Sequence, residues 1–229
     1  MVMDATLLWR RFNYDGPVRE MTEPEETMRD RVLRVADELL DTEGPDALSL
    51  RRIADLADTS TQAVYTQFGG KPGLADAMYR SGYQRLAAEI DALPDIADPV
   101  ERMRALSLAY RRVALANPEH YKLMTGRPIA DYDPPRDSLR FAASTMGPLV
   151  DAVREACASG ALDGEPRTVA TRLWAAGHGR ISLELHGLVK IDDDEANEYF
   201  DRLIDAHRPH RARQFAAADR PVSLDSEHP

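Results

Sequence analysis

One cysteine, Cys157, stands in a chain of 229 residues. A lone thiol closes no internal disulfide, which fits a reducing compartment, and it excludes zinc sites assembled from cysteine pairs. Cys157 falls on an apolar helix face and reads as a packing residue rather than a redox sensor. No stretch approaches the roughly 20 consecutive apolar residues needed to span a bilayer. The start, Met1-Val2-Met3-Asp4, has no basic segment leading into an apolar run, so no secretory signal is expected. These absences point to the cytoplasm, with no membrane attachment. Nucleophile-elbow, phosphate-loop, zinc-protease and paired-carboxylate patterns are missing too. The chain is therefore not expected to be an enzyme, or to hold a cofactor or a metal.

Basic side chains are scarce beside acids: 29 Lys+Arg against 39 Asp+Glu give a formal charge of -10. Taken whole, that balance opposes a nucleic-acid partner, but steering depends on where the charges sit. Residues 1–25 hold 3 basic and 5 acidic side chains, residues 26–90 hold 8 and 11, and residues 91–229 hold 18 and 23. Within 48–90, Arg51, Arg52, Lys71, Arg80 and Arg85 stand against Asp55, Asp58, Asp76 and Glu89, which is near neutral. DNA contact is compatible with this only through a small, localised basic surface.

Between residues 22 and 208 the chain reads as successive helices punctuated by Gly, Pro and Asp, with 43% hydrophobic residues available for a core. Thr22-Glu23-Pro24-Glu25 has the form of a capping box. Met28, Val32, Val35, Ala36, Leu39 and Leu40 then recur on one helical face, and Gly44-Pro45 ends that helix. Ser49 is placed to cap a second short helix, stapled by Leu48 and Ile53. Ser60 caps a third over Thr61–Phe68, stopped by Gly69-Gly70. A fourth runs from Lys71-Pro72 to about Ala92. Longer segments follow at 99–116, 119–125, 137–159, 166–188 and 193–207. The run Asp192 to Glu195 places acids where they complement a helix dipole. No alternating strand pattern and no internal repeat occurs, so the expected fold is all-α. Residues 1–21 and 209–229 are expected to be a mobile arm and tail, with Leu7, Leu8, Trp9, Phe12 and Tyr14 making the arm unusually apolar.

Two short helices joined by a brief turn, from Ser49 to Phe68, make a helix-turn-helix pattern. Ile53, Leu56 and Ala57 are expected to face inward on the first helix, and Val64 and Phe68 on the second. Thr61, Gln62, Ala63, Tyr65, Thr66 and Gln67 are left outward. Such neutral side chains suit base edges, Gln for adenine and Thr through hydroxyl or methyl. Ser49, Arg51, Arg52, Ser60, Tyr65 and Lys71 supply phosphate-binding groups, with free N–H groups at the helix starts. Arg51 and Arg52 also fit a merely solvated face. Lys71 opposes the dipole at a helix start, a cost that a bound phosphate offsets.

Residues 27–74 resemble the N-terminal domain of the tetracycline-repressor (TetR/AcrR) family of bacterial regulators. The likeness rests on Ala36, Leu39, Leu40, Gly44, Leu48, Ser49 and Leu50. It continues without a gap through Ile53, Ala54, Ala57, Ser60, Ala63, Val64, Tyr65, Phe68, Lys71 and Leu74. Asp58 departs from the pattern, standing where the family has Gly in the turn. Asp tolerates a left-handed backbone, so the turn is expected to survive. Gln62 and Ala63 replace a commoner Gly-Thr, which bears on operator sequence. Further along, Tyr110 to Ala114, Asn117 to Met124, and Trp174, His178 and Gly179 resemble the WHG type of TetR C-terminal domain.

What the resemblance implies is a homodimer on double-stranded operator DNA, with a small-molecule effector pocket in each C-terminal domain. The last two long helices would form a four-helix dimer interface. The division is then a DNA-binding head over 22–70, a connecting helix over 71–92 and an effector-binding and dimerisation domain over 93–208. Met103, Leu106, Tyr110, Met124, Phe141, Met146, Trp174 and His178 are the pocket candidates, and their character suggests a mostly apolar effector. Ile181, Leu185, Leu188, Tyr199 and Leu203 are the interface candidates. Trp174 and His178 also align with Ile181, Leu185 and Leu188, so a buried or interface stripe is a second reading of both. His178 and His186 lie more than two turns apart on one helix, too far to share a metal. The expected function is a repressor released by a ligand. An activator, a ligand-independent DNA-binding protein, and a helical carrier or enzyme with a vestigial helix-turn-helix stay open.

Overall fold

A computed structural model describes residues 26–126, 129 and 132–209. Within them lie ten α-helices and no strand, the all-α fold expected. Helix α1 (Met28–Glu43) begins at Thr27, whose hydroxyl oxygen accepts the Asp30 N–H at 3.1 Å. The capping box read at Thr22–Glu25, the arm 1–21 and the tail from residue 210 lie outside the described residues. Helices α2 (Leu50–Leu56) and α3 (Thr61–Phe68) start at Ser49 and Ser60. Each serine Oγ accepts the N–H three residues on, at 3.2 and 3.0 Å, satisfying a donor the helix cannot use itself. Asp58 is the one non-glycine residue with positive φ among those described, at 50°. It turns the chain between α2 and α3, and the Thr59 N–H closes that turn on the Ala54 carbonyl at 3.0 Å. Helix α4 (Lys71–Asp91) follows directly.

The first core takes Val32, Ala36, Leu40 and neighbours from α1, Ile53, Ala54 and Ala57 from α2, and Val64 from α3. Leu74, Ala75, Met78 and Tyr79 of α4 close it, and Leu123, Ile129, Tyr132 and Ala142 join from later in the chain. The head is thus sealed by residues beyond its own three helices. Leu56 does not face inward as expected; it is 58% exposed. Ile53, Ala54 and Ala57 set the buried direction of α2, and at 100° per residue Leu56 falls roughly 100° away from it.

The rest of the chain packs as α5 (Pro99–Ala116), α6 (Pro118–Thr125), α7 (Arg136–Ser144), α8 (Gly147–Ala158), α9 (Pro166–Leu185) and α10 (Asp193–Asp205). The segment expected as one helix over 137–159 is two. Thr145 and Met146 donate to Ala142 and Ala143, three residues back, in a tightened turn. Pro148 then has no N–H to continue the ladder. The segment expected over 166–188 ends at Leu185, with Gly187 in a left-handed conformation just after it. The last helix has a full capping box at Asp192 and Glu195. Met103, Ala152, Val153, Val169, Leu173 and Ile204 centre a second core of α5, α8, α9 and α10. Buried Arg111 clamps it, reaching Glu184 at 2.8 Å and Asp193 at 2.9 Å.

The two halves meet at Asp37. This buried α1 carboxylate takes the Arg85 guanidinium of α4 on one oxygen. Its other oxygen lies 2.9 Å from Nε2 of His120 on α6, a side chain 1% exposed. Close approach of α4 and α6 depends on Gly82: a Cβ there would lie 2.7 Å from the Met124 sulfur.

Two outcomes test these features by urea unfolding. Asp58→Val is expected to cost about 1–2 kcal/mol, because a β-branched residue resists positive φ, while Asp58→Gly stays within about 0.5 kcal/mol of the parent. Equal losses would show that backbone strain is not what matters there. Asp37→Ala is expected to cost about 2–3 kcal/mol by leaving His120 and Arg85 without their shared acceptor. A loss under about 0.5 kcal/mol would remove the cluster from the list of stabilising contacts.

Candidate functional site

Helix α3 presents a polar outer face. Thr61, Gln62, Tyr65, Thr66 and Gln67 are exposed, Ala63 is half-buried, and Val64 on the opposite side is fully buried. Tyr65 leans against Gly70, where a Cβ would lie 3.2 Å from its ring. The ring is thereby held beside the start of α4, where Lys71 is exposed at the first helical position. In the free protein the Thr66 hydroxyl donates to the Gln62 carbonyl at 2.9 Å. Arg51 is exposed. Arg52 is not free: its guanidinium grips both Glu43 oxygens, at 2.6 and 2.8 Å, and holds that carboxyl below the usual carboxylate range. Exposed pairs of this kind contribute little, so a phosphate can compete for Arg52. Ser49 and Ser60 serve first as helix caps.

A cavity of about 290 Å³ lies between α4, α5, α7, α8 and α9. Four of the expected pocket residues line it: Leu106, Tyr110, Met146 and Trp174. The other four do not. Met103 is fully buried in the second core. Met124 packs on Gly82. Phe141 carries the Arg80 guanidinium 4.9 Å above its ring. His178 lies behind Trp174, its ring stacked on the indole with centroids 5.8 Å apart.

Sequence reasoning missed the α4 wall. Tyr79, Tyr83, Leu86 and Ile90 recur at spacings of four, three and four, which is a helical face. That pattern was visible in residues taken only as a connector. Leu173, Gly177 and Phe200 were missed as well.

Behind the cavity runs a hydrogen-bond chain. Tyr110 donates to the Tyr121 oxygen at 3.3 Å, and Tyr121 pairs with Nδ1 of His178. Burial pushes the Tyr121 hydroxyl far above the ordinary tyrosine range and holds the His178 imidazole below its ordinary 6.5. The neutral imidazole of His178 pairs with the Tyr121 hydroxyl through Nδ1.

The interface candidates separate too. Ile181 is fully buried inside its own chain against Ala114 and Tyr121, so it cannot face a partner in this conformation. Leu185 packs on the same cluster. Leu203 packs on the second core, and Tyr199 donates to the Ala176 carbonyl beneath Arg180. Leu188 is 72% exposed. Leu183, which was not anticipated, is exposed as well.

No described helix is long and apolar enough to cross a membrane, and no cluster of three or more His, Cys, Asp or Glu among the described residues could hold a metal. Burial also pushes the Cys157 thiol upward.

Comparison with known proteins agrees with this geometry. Residues 32–78 match the family of bacterial regulatory proteins described as tetR, and residues 103–207 match the tetracyclin repressor-like C-terminal domain. The chain belongs to the TetR family of transcriptional regulators. An HTH-type transcriptional regulator of Mycobacterium tuberculosis is 25% identical over 198 residues, covering 82% of this chain and 83% of its own. A solved structure of a protein of unknown function from Rhodococcus sp. RHA1 superposes with a TM-score of 0.72 at 27% identity, over 83% of this chain and all of that one. The TetR family regulator PfmR of Thermus thermophilus, at 21% identity and a TM-score of 0.61, shares the fold over 78% and 96% of the two chains. This TetR protein is accordingly a helix-turn-helix DNA-binding regulator, with α2 and α3 as its motif.

The neutral state of His178 sets a pH dependence. The unfolded chain takes up a proton as pH falls through about 6.5, while the folded one resists until lower pH. Stability from this site is therefore complete above 6.5 and is lost as pH falls below it. Urea midpoints measured from pH 8 to 5 are expected to fall less steeply for His178→Asn than for the parent. Parallel curves would contradict the assignment.

Proposed function

We propose that this regulator is a homodimeric cytoplasmic repressor, not an enzyme, that leaves a near-palindromic operator when a small molecule fills the α4–α9 cavity. The observation that carries the proposal is the double duty of α4. Its first turns complete the core of the head and carry Lys71, and its later turns form one wall of the cavity. In this reading residues 22–70 are the head, 71–92 the connector and 93–208 the effector and dimer domain. Two α3 helices enter successive major grooves about 34–36 Å apart. Exposed Leu183 and Leu188 near the end of α9 supply apolar area for the partner chain.

A ligand against Tyr79, Tyr83, Leu86 and Ile90 presses on α4. It shifts the spacing of the two heads only as far as it prefers one conformation over the other. Helix α6 offers a second route. Tyr121 is the middle member of the hydrogen-bond chain behind the cavity, and the adjacent His120 holds Asp37 of the head.

The reading head is tested by gel shift on the DNA upstream of the protein's own coding sequence. Tyr65→Ala and Lys71→Ala are each expected to weaken binding by at least about tenfold, roughly 1.4 kcal/mol, with dimer mass unchanged in sedimentation. Unchanged affinity in both variants would remove α3 and the start of α4 from the DNA contact.

A further inference from the structure

We infer that the cavity takes a small, uncharged aromatic molecule bearing a hydroxyl group. This rests on the effector role proposed above and goes further, to the chemistry of the ligand. Three features of the wall decide it. No Asp, Glu, Lys, Arg or His lines the cavity, so an anion or cation would give up its hydration for no opposite charge. Aromatic rings supply much of the wall, among them Tyr79, Tyr83, Tyr110, Trp174 and Phe200, and rings favour offset or edge-on contact with another ring. At about 290 Å³ the space sits at the low end of the roughly 300–1,000 Å³ usual for ligand sites. That suits one or two rings and no long chain.

The hydroxyl follows from which hydrogens the wall has already given away. Ser107 donates to the Met103 carbonyl at 2.8 Å, Thr125 to Tyr121 at 2.7 Å and Thr145 to Ala142 at 2.7 Å. Tyr83 donates to the Met124 carbonyl at 3.2 Å and Tyr110 to the Tyr121 oxygen. These five hydroxyls offer a ligand their lone pairs rather than their hydrogens. A ligand hydroxyl donates to one such lone pair, whereas an ether only accepts. Exposed Leu139, Ala143 and Trp174 mark the mouth through which it enters.

Isothermal titration of the full-length protein with three probes, without DNA, tests this directly. 2-Naphthol is expected to bind at least about tenfold more tightly than 2-methoxynaphthalene, which lacks the hydrogen, and than 2-naphthoate, which is charged. Leu139→Glu, at a half-exposed wall position that tolerates substitution, is expected to weaken 2-naphthol by about tenfold with its thermal melt retained. Trp174→Ala is expected to do the same. Naphthoate binding as tightly as naphthol, methoxynaphthalene matching naphthol, no binding by any probe, or naphthol binding untouched by both variants would each overturn the inference. Selective 2-naphthol binding that leaves the gel-shifted complex intact would uphold it and would instead count against ligand-driven release.

Discussion

A single buried carboxylate, that of Asp37, fixes how the two halves of this regulator sit on each other. It lies on α1, yet both of its partners come from elsewhere: Arg85 from the far half of α4 and His120 from α6. A carboxylate removed from water is costly unless its lone pairs are met. The head can therefore rotate or tilt against the C-terminal helices only by breaking these contacts together. The glycine at position 82 supports the same junction, since a Cβ there would meet the Met124 side chain of α6 and one of the two would have to shift.

Helix α6 is short, eight residues, and its neighbouring side chains look in opposite directions. His120 enters the junction with the head; Tyr121 enters the wall behind the cavity and is bonded to Tyr110 and His178. Both are buried, so α6 has little freedom to turn without disturbing one site or the other. Helix α4 is bound in the same manner along its length, first by the head core and then by the cavity wall. A protein interior is close-packed and moves between discrete arrangements rather than deforming smoothly. Two helices held at both ends are the elements through which filling a cavity can reach a distant reading face.

Much of the fold was legible from local signals. Ser49, Ser60 and Asp192 are caps in the structure because their short side chains reach the backbone N–H two or three residues on, a purely local chemistry. Asp58 was legible for the same kind of reason, as one of the few residues that accept positive φ without a glycine. The errors arose where tertiary packing decides. Leu56 satisfies the helical period about as well as Ala57, but only the first core chooses between them. The α7–α8 break turns on Pro148, whose missing N–H was present in the sequence and was overridden by apolar continuity. Met103, Met124 and Phe141 have the right composition for a pocket. Nothing in a sequence says on which side of a helix the void will fall.

The charge of the molecule also reads differently once the ion pairs are placed. The net -10 is set against a head in which Arg52 is already neutralised by Glu43 and Arg85 by Asp37. Arg51, Lys71 and Arg29, the last lying over the Phe68 ring of α3, are exposed cations that carry no such carboxylate clamp among the described residues. Affinity from phosphate neutralisation scales with the number of cations delivered, so a single head carries a weak non-specific grip. In the proposed reading, base-edge contacts from Gln62, Thr66 and Gln67 would add selectivity but little reach. In the proposed homodimer, two heads would engage at once at fixed separation, and the second contact would become effectively intramolecular. A weak single head is the arrangement in which a small change in spacing has the largest effect on occupancy.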